Sequence, residues 1–322
     1  NIVTDLGKVE TPGGRRPNVF GLASSAIYFA GVNIGRDNMS FLITDLHNNI
    51  VKEELLTDFE LQDRPQCLEK ICSNIAHFID TCGVERAKIL GVGVSVSGRV
   101  NPTTGRSYRY FTSSEQSLRD MIEQRIGIRV LLENDSRARC YAEYTNSKSK
   151  DEMDVLYLHL GRGLAIGIVM NGKLYYGKSG FAGEFGHNTL VPDGRPCYCG
   201  KKGCLDAYCS AKVLSRLTDG NLALFFDGLR SGDAALQTAW NEYLSYLAVA
   251  VNNLRMTFDC DVIVGGYVGG FLAEFGEPLR EMLVERNTFE PDSSYLKFSR
   301  YKLEASALGA ALLHIEAFIQ NL

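Results

Sequence analysis

The chain has 322 residues, 45% of them hydrophobic and 22% charged, and its formal net charge is −4. This composition is ordinary for a globular protein, and the length favours two units of common domain size over one simple core. A mildly acidic chain lacks the basic surface of nucleic-acid-binding proteins, so any DNA binding needs a small module or one outside these residues. The chain has no run of about 18 apolar residues and no secretion signal, which predicts a cytoplasmic protein that does not span a membrane.

Residues 1–21 are polar and rich in turn formers, including the run Gly13-Gly14-Arg15-Arg16-Pro17, which predicts a linker. Three apolar runs at 29–34, 40–45 and 50–55 follow, with turn-forming residues between them, as is typical of a three-stranded meander. Apolar periodicity then predicts helices at 68–79 and 118–126 and buried strands at 89–96 and 130–132.

A similar plan then repeats. A second meander is predicted at 155–160, 165–170 and 173–176, then a long helix at 236–254, a buried strand at 262–264 and a closing helix at 305–319. Two copies of strand, strand, strand, helix and strand predict an α/β protein of two similar lobes with a ligand cleft between them.

One histidine and three of the nine cysteines are clustered in the sequence: His187, Cys197, Cys199 and Cys204. One His and three Cys form a closed, four-ligand zinc set, so the cluster predicts a structural zinc rather than one that activates water. The residues between them include Pro, Asp, Gly, Arg and Lys, which indicate a surface loop with no core to bury thiols in. The alternative is a loop with three reduced cysteines.

The same stretch resembles the signature of the repressor–ORF–kinase (ROK) family, in which Ala-Gly-Glu-x-Gly-His is followed by Cys-x-Cys-Gly-x-x-Gly-Cys-Leu-Glu. The matching stretches are 182–187 and 197–206. Glu133-Asn134-Asp135 resembles the family's catalytic Glu-Asn-Asp, and 91–100 resembles its first glycine strand, with Ser97 where the family usually has Pro. The resemblance implies a two-lobed actin-like sugar-kinase fold of the ribonuclease H-like type, with a zinc loop at 187–204.

The resemblance also implies a sugar site. Asp135 would be the catalytic base if kinase activity is retained, and His187 would bind zinc with one ring nitrogen and a sugar hydroxyl with the other. Asp206 replaces the family's Glu and reaches one methylene less far. The alternative for Asn134 and Asp135 is a helix N-cap. The residues implied to bind sugar are Gly98, Asn134, Asp135, Glu184, His187 and Asp206.

Kinases of this superfold hold ATP phosphates with two glycine-rich turns. The first, usually Asp-x-Gly-Gly-Thr, reads Asn33-Ile34-Gly35-Arg36-Asp37 here, so an amide replaces the carboxylate that organises magnesium and Asp37 repels phosphate. The second, at 161–167, has lost its Thr and one Gly. Arg36 and Arg162 could instead bind a sugar phosphate. The phosphate-side residues are Gly35, Arg36, Gly161, Arg162, Gly163 and the adenosine-side pair Gly265 and Gly266.

A degraded phosphate side beside a nearly intact sugar side favours a sensor over a kinase. Residues 13–17 resemble the linker between the winged helix-turn-helix and the body of family repressors such as those for xylose and N-acetylglucosamine, and residues 2–8 the last trace of the wing. The hypothesis is the effector-binding body of a sugar-responsive transcriptional repressor, a homodimer or dimer of dimers. It would bind a sugar or sugar phosphate and contact operator DNA through a winged helix-turn-helix outside these residues, in the bacterial cytoplasm.

The alternative hypothesis is an enzyme: an ATP- and magnesium-dependent, glucokinase-like kinase of a hexose or an N-acetylamino sugar. The expected organisation is the same for both. It consists of a linker at 1–21, an N-terminal α/β lobe at 22–132, a C-terminal α/β lobe at 133–302 that carries the zinc loop, and a closing helix at 303–322 that returns to the first lobe.

Overall fold

The computed structural model of the chain describes residues 2–8, 18–146, 153–301 and 304–320. The chain divides into two compact units, one made of residues 1–138 with 303–322 and the other of residues 139–302. The first boundary therefore lies after Ala138 rather than after Leu132, where it was predicted. The reason is close packing by the closing helix, since a β-carbon at Gly309 would be only 1.7 Å from the carbonyl oxygen of Ala138.

The first unit is an α/β unit. Its strands are β1 (Val3–Lys8), β2 (Asn18–Leu22), β3 (Tyr28–Ile34), β4 (Met39–Asp45), β5 (Ile50–Leu56), β6 (Ile89–Val96), β7 (Val100–Asn101), β8 (Arg106–Ser107) and β9 (Val130–Asn134). Its helices are α1 (Pro65–Thr81), α2 (Leu118–Ile126), the start of α3 (Asp135–Asn146) and the closing helix α11 (Ala305–Ile319).

A five-stranded sheet in the order β5-β4-β3-β6-β9 organises this unit. Strands β3, β4 and β5 pair antiparallel, as predicted, and β6 lies parallel to both β3 and β9. Strands β3 and β4 are buried almost throughout because the sheet is covered by helices, whereas β5 is an exposed edge. Parallel pairing brings the carboxyl ends of β6 and β9 side by side, with Val96 opposite Asn134.

The N-terminal segment contains two strands where a linker was predicted. Strands β1 and β2 pair antiparallel, with Val3 opposite Leu22, and β1 is exposed along its whole length. Pairing without burial is typical of a hairpin with little core of its own. The run 13–17, which carries the resemblance to a repressor linker, lies outside the described residues.

The second unit repeats the plan. Its strands are β10 (Val155–Leu160), β11 (Leu164–Met170), β12 (Lys173–Leu174), β13 (Asp261–Gly265) and β14 (Leu296–Phe298). Its helices are α4 (Asp206–Cys209), α5 (Ala211–Ser215), α6 (Leu222–Arg230), α7 (Ala234–Phe258), α8 (Gly266–Gly269), α9 (Leu272–Phe275) and α10 (Glu277–Arg286).

The sheet of the second unit has the order β12-β11-β10-β13-β14. Strand β12 ends at Leu174 and is shorter than the predicted 173–176, because Tyr175 donates a last hydrogen bond to Ile168 and the chain then turns at Gly177, where φ is 67°. Helix α7 packs Trp240 and other buried side chains into the core of this unit. Among the described residues, no helix has both the length and the apolar character needed to cross a bilayer.

Candidate functional site

The predicted metal ligands converge in the second unit. The ligand atoms of His187, Cys197, Cys199 and Cys204 all lie within 4.8 Å of one another. Sulfur atoms bound to one tetrahedral zinc at about 2.3 Å would be about 3.8 Å apart. The sulfurs of Cys199 and Cys204 are 3.7 Å apart, and the sulfur of Cys197 is 3.8 Å from Nδ1 of His187. The four side chains therefore have the spacing and donor set of a closed zinc site.

Backbone hydrogen bonds hold the loop that carries these ligands. The amide of Cys197 donates to the carbonyl of Lys201, and the amide of Gly203 donates to the carbonyl of Arg195. Gly203 has a φ of +78°, and a β-carbon there would lie 1.8 Å from the carbonyl oxygen of Val191, so no other residue fits. Gly203 is thus required by the packing of the loop itself.

The burial of the thiols differs from the prediction of a wholly exposed loop. Cys199 is exposed, but Cys197 and Cys204 are buried, because the loop folds back against the rest of the unit. Burial and the neighbouring thiols raise the pKa of Cys204 to about 12. Buried thiols this hard to ionise need a nearby cation to become thiolates, and a bound metal supplies one.

The segment before the cysteines packs against strand β11. The carbonyl of Gly183 accepts a hydrogen bond from Ile166, and a β-carbon at Gly183 would stand 2.3 Å from the Ile166 carbonyl oxygen, at a φ of +100°. Glycine is therefore the residue that fits here. A short 3₁₀ turn at Phe185–His187 then turns the imidazole of His187 toward the cysteines, while Glu184 stays exposed.

Asp206 is buried at the start of α4, directly after the cysteine loop. Its Oδ1 accepts a 2.6 Å hydrogen bond from the amide of Leu164, a residue of the second glycine turn. Burial raises the pKa of this carboxyl, and the Leu164 amide and the charges of His187 and Lys212 act in the opposite direction. One carboxylate oxygen of Asp206, a predicted sugar-binding residue, is thus already hydrogen-bonded to the backbone of the turn.

In the first unit, Gly98, Asn134 and Asp135 meet where β6 and β9 end. The side-chain nitrogen Nδ2 of Asn134 donates to the carbonyl of Gly98 at 2.9 Å, and Oδ2 of Asp135 accepts from the hydroxyl of Ser97 at 2.9 Å. The side-chain oxygen of Asn134 also accepts from the amides of Ser136 and Arg137, at 3.0 and 3.1 Å. The side-chain oxygen of Asn134 therefore caps helix α3, and the same cap fixes Asp135 beside it.

A buried ion pair supports this corner of the first unit. Arg137 donates to Oε1 of Glu133 at 2.7 Å, with both side chains no more than 5% exposed, and it also donates to the carbonyl of Val100. The Glu133 carboxylate accepts from the amide of Asn134 as well. Each charge has its partners, so the pair orients Asn134 without leaving a buried charge uncompensated.

The first glycine turn, in the first unit, is occupied by its own side chains. Asn33 is 6% exposed, and its Oδ1 accepts a 3.1 Å hydrogen bond from the hydroxyl of Ser95. A β-carbon at Gly35 would lie 2.8 Å from the side-chain oxygen of Asn38, and the carbonyl of Arg36 accepts from the amide of Leu61. The amide that replaces the kinase carboxylate is therefore a structural residue.

The second turn and the glycine pair meet around one imidazole. A β-carbon at Gly161 would be 2.4 Å from Nε2 of His159, and one at Gly266 would be 2.8 Å from Nδ1 of the same ring. The hydroxyl of Tyr157 would lie 2.2 Å from a β-carbon at Gly265. His159 and Tyr157 thus occupy the space into which side chains at these glycines would point.

Three of these residues carried no clear signal in the sequence. Ser97 reaches Asp135 only through the pairing of β6 with β9, and His159 is one residue of the apolar strand β10. Tyr198, which lies between two cysteine ligands, places its hydroxyl 3.3 Å from Nε2 of His187. The spacing did not predict this contact of the second ring nitrogen of His187.

A cavity of about 680 Å³ opens elsewhere in the second unit. Most of its lining is apolar, and it includes Glu184 and Phe185 but neither His187 nor Asp206. The predicted sugar residues of this unit are therefore not gathered in this cavity.

Comparison with known proteins identifies the family. The model of the ROK family matches residues 29–317 of the chain. The chain belongs to the ROK family. This result confirms the resemblance drawn from the cysteine loop and the Glu-Asn-Asp motif.

Relatives within the ROK family include regulators and enzymes. A xylose repressor from Bacillus spizizenii is 27% identical over 277 residues, which cover 82% of this chain and 70% of the repressor. A glucokinase from Streptomyces coelicolor is 34% identical over 190 residues, which cover 58% of this chain and 57% of the kinase.

A crystal structure of a ROK transcriptional regulator, a homologue of the Escherichia coli MLC protein, superposes with a TM-score of 0.78 at 21% identity. The match covers 98% of this chain and 85% of that one. The expected sugar-kinase fold class is confirmed.

Proposed function

We propose that this ROK chain is the effector-binding body of a sugar-responsive transcriptional repressor. The observation that carries the proposal is Asn33 in the first glycine turn, a buried amide hydrogen-bonded to Ser95 at 3.1 Å. An amide at this position brings no negative charge to organise magnesium around ATP. The filling of the second turn by His159 supports the same conclusion.

The sugar side keeps its polar residues. Gly98, Asn134 and Asp135 of the first unit, and Glu184, His187 and Asp206 of the second, are the proposed sugar contacts. Hydroxyl-rich ligands need several oriented donors and acceptors, and the hydrogen bonds of Asn134, Asp135 and Asp206 fix those side chains in advance.

The proposed metal is a structural zinc held by His187, Cys197, Cys199 and Cys204. Bound there, zinc would link three thiolates and one imidazole and so brace the loop from Gly183 to Asp206. Imidazole nitrogen Nδ1 faces the thiols, which leaves Nε2 for hydrogen bonding. The metal and the sugar residues of this loop would then be one structural unit.

The similar proteins include both candidates, so the choice between them depends on the site itself. The xylose repressor matches 82% of this chain at 27% identity, and the glucokinase matches 58% at 34% identity. In this proposal the protein acts in the bacterial cytoplasm as a homodimer or dimer of dimers, and operator DNA is contacted by a winged helix-turn-helix outside the aligned body. A sugar changes repression only if it binds the DNA-bound and DNA-free states with different affinity.

The proposal is tested by two assays on one panel of D-glucose, D-xylose and N-acetyl-D-glucosamine. We expect calorimetry to detect binding of at least one sugar. We expect no ADP release above background with ATP and magnesium. Binding without turnover supports a sensor, and no binding of any of the three contradicts the proposal.

The second candidate is an ATP-dependent kinase of a hexose or an N-acetylamino sugar. One observation favours it: Asp135 is held at 2.9 Å by Ser97, in a position where a carboxylate could accept a proton from a sugar hydroxyl. ADP release that disappears in Asp135→Asn would establish this candidate in place of the first.

A further inference from the structure

Tyr198 is an exposed residue held in a defined position. Its side chain is 69% exposed, yet its hydroxyl lies 3.3 Å from Nε2 of His187 and the two rings meet edge-on, with centroids 5.3 Å apart. The ammonium of Lys212 lies 5.9 Å from the centroid of the Tyr198 ring, close enough for a cation–π contact. An exposed tyrosine with both a hydrogen bond and a cation–π contact is ordered for a reason other than core packing.

The Tyr198 hydroxyl lies next to Nε2 of His187, which can donate only one hydrogen bond. Nδ1 of His187 faces the sulfur of Cys197 at 3.8 Å, so Nε2 points away from the cysteines. A neutral imidazole whose Nδ1 serves as a metal ligand carries its proton on Nε2, and this N–H donates to one acceptor at a time. The Tyr198 hydroxyl therefore takes the bond that a ligand hydroxyl would need.

The surroundings of the Tyr198 hydroxyl are those expected for a bound hydroxyl group. A β-carbon at Gly163 would lie 3.7 Å from this hydroxyl and 3.3 Å from Oδ1 of Asp206. The phenol oxygen thus sits near an imidazole donor, a buried carboxylate and a glycine backbone that permits close approach. All of these groups belong to the second unit.

We propose that Tyr198 is an internal competitor for the ligand: its hydroxyl occupies the hydrogen-bonding position at His187 Nε2 that a ligand hydroxyl takes on binding. The side chain is exposed, so it can rotate into solvent without opening the core. Tyr198 then sets a threshold for specificity, because only a ligand whose hydroxyl bonds Nε2 better than a phenol displaces it. This inference rests on the proposed function.

The test is Tyr198→Phe in the full 322-residue chain, compared at equal zinc content with the wild type. Calorimetry with D-glucose, D-xylose and N-acetyl-D-glucosamine should give a Kd about five-fold lower for the variant, the change expected when one competing hydrogen bond is lost. Tyr246→Phe is the matched control, since Tyr246 is a half-buried tyrosine of the same unit that lies outside the cavity lined by Glu184, and it should leave the Kd unchanged.

Other outcomes overturn the inference in distinguishable ways. A higher Kd in Tyr198→Phe means that the hydroxyl contacts the ligand directly, and an equal Kd means that it takes no part; both leave the proposed function standing. If neither form binds any of the three sugars, the proposed function and the inference fail together.

A spectroscopic readout separates displacement from a purely structural role. Saturation with the bound sugar should shift the Tyr198 ring carbon signals in NMR spectra of the wild type, while the Tyr246 signals stay in place. Unchanged Tyr198 signals at saturation would show that the ring does not move, and the competitor role would be wrong.

Discussion

The proposed sugar-side and phosphate-side residues of this chain differ in what their polar atoms bind. On the sugar side, Asn134 caps helix α3, Asp135 accepts from the hydroxyl of Ser97, and Nε2 of His187 faces the hydroxyl of the exposed Tyr198. On the phosphate side, Asn33 bonds the buried Ser95, and the ring of His159 lies where side chains at Gly161 and Gly266 would point. The difference teaches that a polar group with an exposed partner can exchange that partner for a ligand, whereas one with buried partners cannot do so without opening the core.

The sharpest way to break this comparison is to remove a metal ligand from the sugar-side loop. Cys204→Ser should weaken zinc binding by more than about 100-fold, because losing a ligand costs more than losing a ligand's hydrogen-bond partner, which costs about 10–100-fold. Zinc content after dialysis, measured by mass spectrometry, checks this. Cys260→Ala is the control, because Cys260 is a buried cysteine outside the cluster and the variant should retain the zinc content of the wild type. Equal zinc loss in both variants would count against the site.

The next largest effect should come from the ion pair that supports Asn134. Arg137→Met leaves Glu133 buried without its partner and should lower the free energy of unfolding by about 3–5 kcal/mol. Urea unfolding followed by circular dichroism measures this. Arg125→Met removes an exposed pair with Glu69 and should change stability by no more than about 1 kcal/mol. A small effect of Arg137→Met would show that the corner does not depend on the pair.

On the phosphate side, the buried His159 should make the stability of the fold depend on pH. Removal of the ring from water, together with the charge of Arg139, lowers the pKa of His159 from 6.5 to about 3. In the folded state the His159 imidazole stays neutral at pH values where the unfolded chain binds a proton there. The contribution of the neutral imidazole to the free energy of unfolding is therefore complete above pH 6.5 and is lost as the pH falls toward 3. His159→Gln should reduce the slope of the free energy of unfolding against pH by up to about 1.4 kcal/mol per pH unit.

Unfolding free energies between pH 7 and about 4 measure that slope. The exposed His47 supplies the control, because His47→Gln should follow the wild-type curve. Parallel curves for His159→Gln and the wild type would mean that the imidazole does not fill the turn.

The smallest expected effect concerns Ser97. Ser97→Ala removes the hydroxyl that donates to Asp135 and should cost about 0.5–1.5 kcal/mol of stability, with weaker sugar binding. Ser97→Thr keeps a hydroxyl and should retain most of both. If Ala and Thr behave alike in thermal unfolding and calorimetry, the hydroxyl does not organise Asp135.

Features that depend on local sequence were predicted well. Strands β3, β4 and β6 follow from their apolar runs, and the cluster of one histidine and three cysteines was recognised because all four residues lie in one loop. Long-range features were not. The proximity of Ser97 to Asp135 depends on the register of β6 against β9, which no local pattern encodes. The early end of β12 and the unit boundary after Ala138 likewise depend on tertiary contacts.

Helix α11 has a consequence for the order of folding. It packs on strands β3 and β6, and its His314 lies 5.3 Å from the ring of Phe29, so the last described helix completes a unit that begins near the start of the chain. Residues 139–302 are continuous, and the second unit can fold as soon as they have left the ribosome. The first unit has to wait for α11. During synthesis its sheet is exposed on one face for the time needed to translate all of the second unit, which makes β3 and β6 the surfaces most in need of a chaperone.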